Sequence, residues 1–210
     1  MDNEKFIPKI LSIDFDIIMA PCIKLYNDVC DDRENPTVIW QRLEQERGIE
    51  NFLAYDATYL SDIAKLIKVN AIDRNCPLSL INNHNEIVEP LLTTWDKIDL
   101  TNIDFYHDVL YCSSDTAKVV DMNQYNCGNW VYYLHKLGKL KSYTWVKAPQ
   151  SDLMSSEIDF HFDNIIPARD IKKLMDVEFE HIYFCLSPQW VPYKYHHLYQ
   201  LIADLCRKGE

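Results

Sequence analysis

Three short stretches gather acids and imidazole in this chain. "SIDFD" carries Asp14 and Asp16, "NNHNE" carries His84 and Glu86, and "DFYHD" carries Asp104, Tyr106, His107 and Asp108. Carboxylates with imidazole and without thiolate suit Mn²⁺, Fe²⁺ or Mg²⁺ better than a structural zinc. On an extended strand, side chains alternate with period two, so Asp104, Tyr106 and Asp108 would share one face of their strand, and Asp14 and Asp16 would likewise point the same way on theirs. Two carboxylates a few ångströms apart do not both ionise cheaply. Either a cation neutralises them, or some of these aspartates turn outward as caps and turn formers. For one Asp at a strand end the second reading is the better one; for three strand tips together the metal is favoured.

The surrounding sequence must bring these tips to one edge. Short apolar runs predict strands over 9–16, 78–84, 100–108, 139–147 and 180–192, the last with a loop. Apolar spacing and stop signals predict helices over 37–48, 56–70, 86–95, 128–138, 168–176 and 195–209. Pro90 falls near a first helical turn, and Gly48 and Gly138 fall at helix ends. Strands alternating with helices predict a three-layer α/β domain, a mostly parallel sheet with helices on both faces. One domain over 1–210 accommodates this order. In such folds ligands bind outside the carboxyl ends of the strands, where all three acidic stretches lie. The segment 147–167, with Pro149 and Pro167, reads as a long loop of the kind that often carries function. Within it "DFHFD" (Asp159, His161, Asp163) imitates a metal strand but reads better as substrate loop or plain surface.

Composition narrows the partners. With 21 basic and 32 acidic residues the formal net charge is -11, which argues against nucleic acid and is compatible with a cationic ligand or basic peptide. Solubility alone also explains such acidity. Four glycines and no phosphate-binding glycine motif argue against a nucleotide loop. No run is long enough to span a bilayer, and the N-terminal "MDNEKFIPK" has no apolar signal region. Seven scattered cysteines without a CxxC pair predict thiols in a reducing cytoplasm.

"SIDFDIIMAP", "NNHNE" and "DFYHD" together resemble the SxDxDxxDP, Asp-His and DxHxD segments of the arginase/deacetylase superfamily. The order, with the DxD strand first, is similar to the circularly rearranged UPF0489 family, which includes peptide arginases. The resemblance implies an arginase-like fold and a Mn²⁺-dependent conversion of arginine side chains in a ribosomally made precursor peptide to ornithine, with release of urea. It implies two Mn²⁺ ions bridged by Asp14 and Asp104. His84 and Asp108 complete one ion's shell, and Asp16 helps hold the other. The second ion's remaining ligand position is Tyr106 here. A phenol, with an ordinary pKa near ~10, ligates poorly unless a metal deprotonates it. His107 is a possible substitute, although an undistorted strand aims it at the opposite face, so only a bulge or twist would bring it in.

Guanidinium is resonance-stabilised and water is a weak nucleophile, so this chemistry needs a hydroxide held between two cations. It also needs a carboxylate to pair with the cationic head and move a proton to the leaving amine. Asp108 and Glu86 are the catalytic candidates. Glu86 reads equally as a helix-start glutamate favoured by the helix dipole. The substrate-binding candidates are Glu86, Asn129, Gln189 and Trp190. Asn129 lies with Cys127 near where arginases carry an auxiliary proton-handling histidine; a loop feeding a helix start explains it as well. Trp190 offers a face for guanidinium, or simply packs. Tyr106 leaves two alternatives: an impaired variant that binds arginine peptides, or a mononuclear hydrolase of the deacetylase kind.

Overall fold

The computed structural model describes residues 6–30, 34–109, 124–152 and 160–207. Its frame is a six-stranded, all-parallel sheet. The strands are β1 (Lys9–Asp14), β2 (Leu78–Ile81), β3 (Ile98–Asp104), β4 (Leu140–Lys147), β5 (Asn164–Pro167) and β6 (His181–Cys185), in the order β2-β6-β1-β3-β4-β5. Among the described residues, five α-helices accompany it: α1 (Pro36–Arg47), α2 (Ala57–Ile67), α3 (Val88–Thr94), α4 (Trp130–Lys136) and α5 (Tyr193–Arg207). A 3₁₀ segment, Ala168–Asp176, takes the place of the helix expected over 168–176. A π turn, Lys68–Asp73, extends α2.

Alternation along the strands divides the core into two layers of side chains. Leu11, Ile13, Ile103, Ile182 and Phe184 face one way, into a cluster with α1, α2, the 168–176 segment and α5. Ile10, Leu100, Tyr143, Trp145 and Tyr183 face the other way, onto α3 and α4. A parallel sheet buried on both faces is the setting in which near-continuous apolar strands are stable. Local signals fix the helix ends. Asn35 and Asp56 accept the N–H of the second helical residue, Pro36 opens α1, and Gly48 closes it at φ 57.

Two expectations are corrected. The segment 147–167 is not loop throughout, because β5 forms an edge strand at its end, paired with β4 from Thr144 to Lys147. That strand is only four residues long and three of them are exposed, too little apolar alternation to register in the sequence. The strands predicted over 9–16 and 100–108 stop at Asp14 and Asp104. Each of these carboxylates accepts the N–H two residues on, at 3.0 Å from Asp16 and 2.8 Å from Tyr106. Such aspartate turns compete with the ladder and end it. Among the described residues, no helix is long and apolar enough to cross a membrane.

Candidate metal centre

The sheet register lines up the acidic tips. Asp14 lies opposite Cys185 and Cys185 opposite Ile81, while Asp14 and Asp104 directly follow the paired Ile13 and Ile103. His84 begins a 3₁₀ turn three residues past the end of β2. Asp108 follows β3 with φ 52, a left-handed conformation uncommon for a residue with a Cβ. The main chain therefore doubles back and returns a second carboxylate to the tip of β3.

All four side chains meet at one atom. His84 Nδ1 is 2.9 Å from Asp104 Oδ2, 3.0 Å from Asp108 Oδ2 and 3.3 Å from Asp14 Oδ2. It is buried, yet no contact has the geometry of a hydrogen bond. Asp14, Asp16, Asp104, Asp108 and His84 are each no more than 4% exposed. The other imidazole nitrogen, Nε2, contacts the Ser12 hydroxyl. If Nε2 carries the proton toward Ser12, Nδ1 presents a lone pair to three carboxylates. That is the tautomer a ligating histidine adopts, fixed by an outer partner. A buried cluster of this charge is costly without a cation, and Asp14, His84 and Asp104 together have the spacing of a metal-ligand group. The donor set of hard carboxylate oxygens and one imidazole fits a divalent ion such as Mn²⁺.

Ionisation follows the same crowding. Burial, then the charges of Asp108 and Asp14, hold the Asp104 carboxyl well above its ordinary range. Burial, then Asp14, Asp104 and Asp108, do the same to Asp16. Burial alone would lower His84, but Asp104, Asp108 and Asp14 outweigh it and raise its pKa well above the ordinary value. These shifts favour a proton on His84 and on the Asp16 and Asp104 carboxyls where no metal is bound.

Each ligand candidate is held by a donor. Asp108 Oδ2 accepts the Trp130 indole N–H at 2.6 Å, and the Trp130 ring lies 4.9 Å from the His84 ring. Asp104 Oδ2 accepts from Asn102 at 3.3 Å. Asp14 Oδ2 accepts the Ser187 hydroxyl at 2.6 Å. Ser12, Asn102, Trp130 and Ser187 went unremarked in the sequence as partners of the site. Ser12 and Asn102 precede Asp14 and Asp104 by two, so strand period was the available signal; Trp130 and Ser187 carry none.

The other predicted residues are distributed around this point. Asp16 is buried beside the cluster, its Oδ1 3.4 Å from the Phe105 N–H. Tyr106 turns toward Trp190, with ring centroids 5.2 Å apart. His107 lies in the aromatic cluster instead, against Trp145 and Phe162. Its Nδ1 accepts the Val109 N–H at 3.1 Å, and burial lowers its pKa to about 4. Glu86 is exposed and caps its own turn, accepting the Asn83 N–H at 2.9 Å, which is the helix-start reading. Asn129 is fully buried next to Trp130, its Oδ1 accepting the Asn126 N–H at 2.7 Å. Gln189 is buried in the turn after β6. His161 and Asp163 are exposed; Asp159 lies outside the described residues. No family model, curated protein or solved structure matches the chain.

Proposed function

We propose that the chain is a metal-dependent hydrolase of the arginase-deacetylase kind, converting arginine side chains of a peptide to ornithine with release of urea. The observation that carries this reading is the convergence of Asp14, Asp104 and Asp108 on His84 Nδ1 at 2.9–3.3 Å. Asp14, His84, Asp104 and Asp108 would hold Mn²⁺, with Asp16 beside them. The ion would supply Lewis acidity and water acidic enough to attack at neutral pH.

The chain's own residues do the rest. Ser12 holds the His84 tautomer, and Trp130 and Asn102 orient Asp108 and Asp104. Asp16 and Asp108 offer carboxylates for the guanidinium and for proton transfer to the leaving amine. Tyr106 and Trp190, in ring contact at 5.2 Å, are the aromatic candidates for packing against a planar cation. The net charge of -11 favours approach of a basic peptide. Cys22, Cys76 and Cys185 are buried thiols, in keeping with a reducing cytoplasm.

A second reading is favoured by one specific observation: the three carboxylates meet at a single nitrogen while Tyr106 packs on Trp190. A one-ion centre would suit hydrolysis of an acetyl-amine amide. Mass spectrometry after incubating the Mn²⁺-loaded chain with an arginine peptide and with an acetyl-lysine peptide separates the two. Ornithine supports the first, acetate release the second, and two unchanged peptides with metallated protein contradict both.

A further inference from the structure

The sheet order places β6 between β2 and β1, directly between the strands leading to His84 and Asp14. The tips of β1, β2 and β3 each bring ligand-type residues; the tip of β6 brings a hydroxyl. Ser187 follows β6 by two residues, is buried, and stands at φ 48, a backbone conformation that carries a cost in any residue with a Cβ. Its N–H donates to the Asn82 carbonyl at 2.9 Å, extending the β2–β6 ladder. Its hydroxyl reaches Asp14 Oδ2 at 2.6 Å and lies 3.3 Å from the Cys185 sulfur. Its carbonyl accepts the N–H groups of Trp190 at 2.9 Å and Val191 at 3.0 Å. The Trp190 carbonyl in turn accepts the Tyr26 hydroxyl at 2.8 Å.

We propose that Ser187 is a positioning residue that sets Asp14 for metal binding and ties the Gln189–Trp190 turn to the occupancy of the centre. This rests on the metal-centre reading above but on no particular substrate. The oxygen that Ser187 orients is the one facing His84, so the hydroxyl fixes which lone pair remains for an ion. Because the same residue's carbonyl organises the next turn, a metal that pulls on Asp14 also tightens the turn carrying Trp190.

Two variants separate hydroxyl from backbone. Ser187→Ala keeps the Cβ and loses the hydroxyl; Ser187→Gly also loses it but accepts the left-handed backbone without strain. Mn²⁺ titration followed by the electron paramagnetic resonance of free Mn²⁺ is expected to show affinity falling about tenfold or more in both, as for other outer-shell partners. Hydrogen exchange in a peptide spanning 186–192 is expected to slow on Mn²⁺ addition in the wild type and to lose that response in both variants. Wild-type affinity in Ser187→Gly, with or without a loss in Ser187→Ala, overturns the hydroxyl's role. Exchange insensitive to Mn²⁺ in a wild type that binds the ion overturns the coupling. In both cases the hydrolase reading stands. A wild type that binds no Mn²⁺ overturns the centre and this proposal together.

Discussion

Two stretches of the chain look alike as strings and end up in opposite circumstances. "DFYHD" at 104–108 and "DFHFD" at 159–163 each set acids and histidine among aromatics. The first follows β3, an interior strand of a buried parallel sheet, and returns Asp104 and Asp108 to one nitrogen. The second leads into β5 at the sheet edge, where His161 is exposed and Asp163 accepts the Tyr143 N–H at 2.7 Å. Asp163 is thus a backbone partner for β4. Position decides the chemistry: acids at the carboxyl end of an interior parallel strand meet acids from its neighbours, and Asp163, before an edge strand, meets a backbone N–H.

The sharpest way to break this contrast is Asp104→Asn. Removing a ligand is expected to cut Mn²⁺ affinity by more than the ~10–100-fold that losing an outer-shell partner costs. The metal-free protein is expected to melt no lower, because Asn brings no charge into the buried cluster. Lost affinity without lost metal-free stability, the latter read by calorimetry, identifies a functional cluster rather than a structural one. Trp130→Phe keeps an aromatic ring against His84 but removes the N–H that Asp108 accepts. Its Mn²⁺ affinity is expected to fall about tenfold, as measured by the same titration.

The pH dependence follows from His84. Its folded pKa is raised well above 6.5, so the protonated imidazole contributes stability that is present below 6.5 and lost as pH rises through the folded value. Metal-free protein is expected to melt progressively lower from pH 6.5 to 8.5. His107, lowered to about 4, is neutral across that window and does not offset the loss. Mn²⁺ loading is expected to abolish the trend, since the ligating tautomer carries no proton on Nδ1. At the edge, Asp163→Ala is expected to cost about 1 kcal/mol, the worth of one hydrogen bond, with Mn²⁺ affinity unchanged. His161→Ala is expected to change neither.

The fold was largely legible because alternating strand and helix patterns leave little choice in a parallel α/β sheet. Residues 9–14, 78–81 and 98–104 lie where apolar runs predicted strands, and their acidic ends lie where ligands bind in such sheets. Less legible was the path just past each tip. Period two would put Tyr106 beside Asp104 and Asp108, whereas the turn at Asp104 sends Tyr106 to Trp190 and brings Asp108 back by a left-handed step. Glu86 had two equal readings, and its contacts are those of a cap. Ser187 is two residues from a strand end, like Asp16 and Tyr106, but a hydroxyl beside Pro188 carries no sign that it faces a carboxylate 173 positions away in sequence.

The most direct test is metal content per chain after saturation with Mn²⁺ and desalting, for the wild type and Asp104→Asn side by side. The account predicts at least one retained ion in the wild type and its loss in the variant. No retained ion, or the same retention in both proteins, would contradict it.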